Sequence, residues 1–131
     1  MKGSYVLLIK LGKAKGIRIG RLGTLPFRPG FYAYVGSALN GLEARIARHL
    51  GSRKRLFWHI DYLLQEAEVA EVFRIESGER LECSISKSLS QRLEPVPGFG
   101  SSDCGCGSHL FYSGEKGFIK NRILDAMPGL A

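Results

Sequence analysis

The amino-acid sequence predicts a small α/β domain of the α+β kind, and three observations support this fold class. Short segments in the first third of the chain alternate in strand-like fashion, and later segments carry apolar residues at helical spacing. The chain has 131 residues, 44% of them hydrophobic, which is the size of one ordinary domain. We therefore expect a single domain over residues 1–131, with a central antiparallel or mixed sheet of about three main strands flanked by helices.

The first third of the chain is predicted to form three strands. The first lies at 5–9, and Ile17 and Ile19, which alternate with Arg18 and Gly20, predict the second. The Lys-rich stretch 11–16 between them is expected to be the tip of a hairpin. Two prolines and a glycine in 25–30 predict a turn, and the aromatic segment 31–36 predicts the third strand.

A helix is predicted directly after this third strand. The segment 37–40 offers capping residues for a helix at about 41–50, on which Leu42, Ile46 and Leu50 form an apolar stripe. Arg45 and His49 are also four residues apart and therefore share a second face beside the buried one. We expect both side chains to project together toward the residues beyond the third strand.

The second half alternates helices with short strands. Trp58 and Leu64 in its first helix are expected to pack in the core. The predicted elements are a helix at 57–65, a strand at 67–75, a helix after Gly78 with Leu81, Ile85 and Leu89 on one side, a Gly, Ser and Cys-rich loop at 95–107, a short strand at 109–112, and a closing helix at 117–127 with Pro128-Gly129 as its stop.

The positive charge is concentrated in the first half of the chain. Residues 1–55 hold twelve Lys or Arg and one acid, Glu43, whereas residues 56–131 hold seven bases and eleven acids. Charge segregated in this way favours a polyanionic partner, and without a long basic amphipathic helix nucleic acid is a better candidate than acidic lipid. The candidate phosphate contacts are Lys13, Lys15, Arg18, Arg48, Arg53, Lys54 and Arg55.

The N-terminus and the cysteines bear on compartment and on metal binding. The apolar segment 5–9 is too short for a membrane span and lacks the layout of a signal peptide, so we expect a cytoplasmic protein without a membrane partner. Three cysteines suit reduced thiols or a metal site better than a disulfide framework. Cys104, Cys106 and His109 could hold Zn²⁺ if Cys83 or His59 completes the set, the alternative being buried thiols in a tight turn.

Several motifs together resemble a known family. Gly3-Ser4-Tyr5 on the first strand, Tyr34-Val35-Gly36 on the third, and the helical Arg45 that follows are similar to the motifs of the GIY-YIG nuclease superfamily. Three wider stretches resemble one branch of it, the DUF123 domains, and with the motifs they cover nearly the whole chain. These stretches are Phe31-Tyr-Ala-Tyr-Val-Gly-Ser-Ala38, Trp58-His-Ile-Asp-Tyr-Leu-Leu64, and Phe99-Gly-Ser-Ser-Asp-Cys104 continuing through Ser108-His109-Leu110.

The resemblance implies metal-assisted hydrolysis of a phosphodiester, usually in DNA and alternatively in RNA, with Mg²⁺ or Mn²⁺ as the ion. By this resemblance, Tyr5 would take a proton from the attacking water and Tyr34 would lie beside Tyr5. Arg45 would bind the scissile phosphate. The chemistry agrees, because guanidinium matches phosphate geometry bidentately and stays charged. His49, one turn on, could assist as an acid or phosphate donor near neutral pH.

The superfamily also places a metal-binding Glu on the helix after the third main strand, where this chain has Glu79-Arg-Leu-Glu82-Cys83. We choose Glu82 as the Mg²⁺ ligand because its spacing puts it beside the apolar stripe, although Glu79 is nearly as good. Each site residue also has a structural interpretation, as a strand tyrosine in the core or an exposed helix charge. The alternative function is therefore a non-catalytic nucleic-acid-binding domain on the same scaffold.

Overall fold

The computed structural model describes residues 2–38, 40–51, 55–101 and 105–127. These residues form an α+β fold with a five-stranded antiparallel sheet, a separate two-stranded hairpin and four helices. The strands are β1 (Gly3–Leu11), β2 (Lys15–Arg18), β3 (Thr24–Phe27), β4 (Gly30–Ala38), β5 (Glu68–Glu76), β6 (Glu94–Pro95) and β7 (Leu110–Ser113), and the helices are α1 (Leu42–Leu50), α2 (His59–Leu63), α3 (Glu82–Ser90) and α4 (Lys116–Ala126).

The main sheet has the strand order β5-β1-β4-β7-β6. This arrangement shows that the predicted hairpin of 5–9 with 17–20 was wrong, because β1 pairs with β4 on one side and β5 on the other. The apolar run of β1 is buried on both faces, as a central strand with two neighbours requires. β2 pairs instead with β3, which occupies much of the predicted turn at 25–30, and Pro26 is tolerated there because the hairpin has only edge strands.

The sheet divides the apolar core into two parts. Tyr5, Leu7 and Ile9 of β1 face α1, α2 and the β2–β3 hairpin, whereas Val6 and Leu8 face α3 and α4. Trp58 and Leu64 pack against the first part, as predicted. Two helices thus cover each face of the sheet, and the ends of its central strands are left to form a site.

Helix α1 lies where it was predicted, but two of its details differ. Its N-cap is Gly41, which has a φ of 68° that favours glycine, and no side chain caps the helix, because Ser37 and Ala38 belong to β4. Leu50, which was predicted to lie on the buried stripe, is 56% exposed. His49 is buried instead, with 3% of its surface exposed. Seven residues complete two helical turns, so the stripe that starts at Leu42 continues through His49.

Most other predicted elements are present with shifted ends. Helix α2 is shorter than predicted, and α3 begins at Glu82, so that Glu79 precedes the helix. The short strand β6 falls at the start of the predicted loop 95–107. The proposed stop at Pro128-Gly129 lies outside the described residues. Within the described residues, none of the helices combines the length and apolar character that crossing a membrane requires.

Candidate active site at the ends of β1 and β4

A cleft opens where the two central strands end. Among the described residues, β7 pairs with β4 only as far as Tyr34, so that Gly36 and Ser37 keep β1 on one side and face the cleft on the other. The cleft has a volume of about 290 Å³. Its lining residues are Tyr5, Tyr34, Gly36, Ser37, Arg45, Trp58, Arg80, Glu82, Cys83 and Gly100. Four of the five residues predicted to be catalytic are in this set.

Tyr5 and the fifth residue, His49, form a buried pair beneath the cleft. The Tyr5 hydroxyl lies 2.7 Å from Nε2 of His49. Burial raises the pKa of Tyr5 to about 12, although the nearby Arg45 guanidinium acts to lower it. The phenol is therefore protonated at neutral pH, and the four-residue spacing of Arg45 and His49 brings both side chains to Tyr5.

Gly36 allows the Tyr5 ring to lie across β4. The two residues are partners in the β1–β4 register, and a Cβ at position 36 would lie 2.4 Å from Cζ and 2.5 Å from the hydroxyl of Tyr5. No side chain fits at that distance, so the last residue of the Tyr34-Val35-Gly36 motif is required by the packing of the first motif. The two motifs are thus coupled through one ring.

We expect Gly36→Ala to displace the Tyr5 ring and to cost about 2–3 kcal/mol of unfolding free energy through overpacking. Urea unfolding measures the cost, and the ring signals of His49 in an NMR spectrum report the displacement, because His49 contacts the Tyr5 hydroxyl. Gly78→Ala is the control, because nothing lies within 4 Å of a Cβ at that position. Equal stability of the two variants would contradict this account of Gly36.

Tyr34 forms the wall beside Tyr5. Their ring centroids are 6.5 Å apart, and Tyr34 packs edge-on against Phe99 at 6.2 Å. Burial raises the pKa of Tyr34 well above its ordinary value, and the nearby Glu82 carboxylate adds to this shift. The backbone of Gly100 lies against this ring. Its N–H donates a hydrogen bond to Nδ1 of His59 at 2.8 Å, which fixes this backbone in place.

Arg45 reaches the cleft from α1 and is held on two sides. Its guanidinium donates to the carbonyl of Ser37 at 2.9 Å and stacks on the Trp58 ring at 4.7 Å. Guanidinium has five N–H donors, and this hydrogen bond uses one of them. The cation is thus fixed in position at the cleft.

Glu82 enters the cleft from the first turn of α3. One carboxylate oxygen accepts a hydrogen bond from the Ser37 hydroxyl at 2.9 Å, and the other lies 3.5 Å from Nε2 of His109. Glu79 is exposed, and its backbone N–H bonds to Ser77 outside the cleft. Of the two acids that the sequence offered, the structure brings Glu82 to Tyr5 and Arg45.

Arg48 has a structural partner. It makes a bidentate ion pair with the fully buried Asp61, at 2.8 and 2.9 Å, and stacks on Trp58 at 4.3 Å. Asp61 also accepts the backbone N–H groups of Phe57 and Trp58. Burial acts to raise the pKa of Asp61, but these hydrogen bonds outweigh it and lower that pKa.

The other predicted phosphate contacts that the structure describes lie outside the cleft lining. Lys13, Arg18 and Arg55 are exposed, and Lys15 pairs with Glu66 at 2.6 Å. Arg53 and Lys54 lie outside the described residues. Among the described residues, the basic surface therefore includes the β2–β3 hairpin and Arg55.

A second group of side chains adjoins the cleft. The ligand atoms of Cys83, Cys106 and His109 all lie within 4.8 Å of one another. The fourth predicted member, Cys104, lies outside the described residues, as does Asp103. His59 is used elsewhere, in the hydrogen bond to Gly100.

Sequence reasoning missed four cleft residues, which are Ser37, Trp58, Arg80 and Gly100. Trp58 was assigned to the core alone, yet its ring carries both Arg45 and Arg48. The spacing of Trp58 and Asp61 could have indicated that Trp58 is the N-cap of a helix. An acid at the third helical position accepts a hydrogen bond from the backbone N–H of the N-cap residue. Nothing in the local pattern singled out Ser37 or Arg80.

Comparison with known proteins gives one family. No curated protein and no solved structure matches the chain. A family model described as "Domain of unknown function DUF123" matches residues 4–131, a range that includes every residue of the cleft. Because the match extends over almost the entire sequence, the chain belongs to the DUF123 family.

Proposed function

We propose that this protein is a divalent-metal-dependent endonuclease of the GIY-YIG type that hydrolyses phosphodiester bonds in DNA. The observation that carries the proposal is the shared cleft, in which a buried tyrosine, an immobilised guanidinium and a carboxylate from three different elements meet. Phosphoryl transfer needs a positioned proton acceptor, positive charge on the non-bridging oxygens and a site for a hard cation. The cleft has a residue for each requirement.

Tyr5 and His49 supply the proton acceptor as a pair. A phenol whose pKa is about 12 is protonated at neutral pH and is a poor base alone. Its 2.7 Å contact to Nε2 of His49 gives the phenolic proton a place to go. Tyr5 thus accepts a proton from the attacking water while its own proton passes to His49, with the imidazole in the tautomer that leaves Nε2 unprotonated.

Glu82 would hold the metal ion. Its donor set fits Mg²⁺ or Mn²⁺, because carboxylate is a hard oxygen ligand and the Ser37 hydroxyl lies 2.9 Å away. A single carboxylate suits Mg²⁺, which keeps several waters and binds substrate phosphate. When bound, the ion supplies charge stabilisation and lowers the pKa of water. The Ser37 hydrogen bond orients the carboxylate toward the cleft.

Arg45 and Arg80 supply positive charge for the scissile phosphate. Arg45 is held between Ser37 and Trp58, so little conformational freedom is lost when it binds phosphate. Arg80 is exposed at the cleft margin. The Lys and Arg of the first half add a wider positive field that attracts a polyanion.

The proposal is tested with purified protein, Mg²⁺ or Mn²⁺, and branched, flapped and single-stranded DNA. We expect cleavage of at least one substrate, and Arg45→Ala should lower its rate by about 10³-fold, the scale of losing a phosphate-binding arginine. Arg92→Ala is the matched control, since Arg92 is exposed and lies outside the cleft lining. Circular dichroism checks that Arg45→Ala leaves the fold intact.

Lack of cleavage of every substrate at enzyme excess would overturn the nuclease proposal. Binding that weakens steeply with salt, without cleavage, would instead support the non-catalytic DNA-binding domain, because counterion release follows from phosphate contacts alone. RNA cleavage without DNA cleavage would keep the chemistry and change the substrate.

A further inference from the structure

We propose that Cys83, Cys106 and His109 form a Zn²⁺ site beside the proposed ion site at Glu82, one of whose carboxylate oxygens lies 3.5 Å from Nε2 of His109. Their ligand atoms lie within 4.8 Å of one another. Tetrahedral Zn²⁺ with bonds of about 2.1–2.3 Å holds its ligand atoms roughly 3.4–3.8 Å apart. Side-chain adjustments of about one ångström therefore close the group around an ion, leaving a fourth position for water or another ligand.

His109 is held in place as metal-binding histidines are. Its ring is fully buried, and the Ser86 hydroxyl lies 2.6 Å from Nδ1. Its backbone is also fixed, since the N–H donates to Phe99 and the carbonyl accepts from Val35. With Nδ1 engaged by Ser86, Nε2 would bind the ion, and a Glu82 carboxylate oxygen lies 3.5 Å from this nitrogen.

The two cysteines are accessible to an incoming ion. Cys83 is exposed in the first turn of α3, and Cys106 is partly exposed in the segment before β7. Both line an open groove of about 690 Å³, and Cys83 also lines the cleft. An entry path of this kind is required of a metal site. Each thiol releases its proton to solvent when its sulfur binds the ion.

Ligand chemistry separates this site from Glu82. Thiolate and imidazole select Zn²⁺, whereas the carboxylate and hydroxyl near Glu82 suit Mg²⁺. Because Cys83 directly follows Glu82, zinc at the proposed site ties the first turn of α3 to the segment before β7. Zinc at this site would therefore hold the turn that carries Glu82 and keep one coordination position open.

Cobalt substitution tests this site with a readout independent of nuclease activity. Full-length protein is reduced, stripped with chelator and titrated with Co²⁺. We expect saturation at one equivalent with thiolate-to-cobalt charge-transfer absorption, displacement of that absorption by Zn²⁺, and a Tm that rises with Zn²⁺. Cys83→Ser and Cys106→Ser should each remove most of the absorption, and because Cys83 is exposed, its variant should fold normally.

Arg45→Ala is the control that separates the two proposals, since Arg45 lies on α1 and is not one of the three ligands, and its variant should keep the cobalt spectrum whether or not it cleaves DNA. Absence of thiolate-to-cobalt absorption in reduced wild-type protein would overturn the zinc site. So would Cys106→Ser or Cys83→Ser protein with an unchanged spectrum. Neither result would affect the nuclease proposal.

Discussion

Glu82→Gln is expected to lower the rate of Mg²⁺-dependent DNA cleavage by about 10³-fold or more, because the amide cannot supply the negative charge that holds the ion. The amide has nearly the same shape as the carboxylate and can still accept the Ser37 hydroxyl, so the fold should be preserved. Single-turnover cleavage measures the rate, and magnesium titration should show that added ion recovers little of it.

Glu79→Gln provides the matched control. This acid lies three residues away and is exposed, with its backbone bonded to Ser77 outside the cleft. Its activity should stay within about twofold of wild type, as for an ordinary surface substitution. If Glu79→Gln lost activity and Glu82→Gln kept it, the metal ligand would have to be reassigned.

Asp61→Asn is expected to produce a large loss of stability. The fully buried carboxylate accepts four hydrogen bonds, two from Arg48 and one each from the N–H groups of Phe57 and Trp58. Breaking a buried pair costs about 3–5 kcal/mol, and the partial exposure of Arg48 reduces this to about 2–3 kcal/mol. Thermal unfolding should show a Tm lower by about 10 °C.

The matched control is Asp125→Asn, which removes an exposed acid that pairs with Arg122 on the same helix at 3.0 Å. Its Tm should change by no more than about 2 °C, since exposed ion pairs contribute little. DNA cleavage should also fall in Asp61→Asn, because Trp58 loses its anchor and supports Arg45 in the cleft. A wild-type Tm in Asp61→Asn would disprove the structural role of this carboxylate.

The same carboxylate makes wild-type stability depend on pH. Its pKa in the folded state lies below the ordinary value of 3.8, so unfolding takes up a proton in acid. The contribution is therefore complete above the unfolded-state pKa and is lost as the pH falls through the lower folded-state pKa. The stability of Asp61→Asn should be less sensitive to pH in this acidic range, as urea unfolding at several pH values will show.

Several parts of the fold could be predicted because their patterns are local. The periodicity of Leu42 and Ile46 predicted α1, and the aromatic run predicted β4. Strand pairing could not be predicted in the same way, since β1 joins partners from distant parts of the chain. The burial of β1 on both faces was nevertheless visible as an apolar run, which signals a central strand better than a hairpin.

The same distinction between local patterns and long-range packing applies to the candidate site. By itself the sequence determined the basic first half, the shared helix face of Arg45 and His49, and membership of the DUF123 family. Only the tertiary structure decided that His49 bonds to Tyr5 and that Glu82 faces the cleft. Spacing along one element specifies which side chains share a face, but an interaction such as Arg48 with Asp61 depends on how separate elements pack.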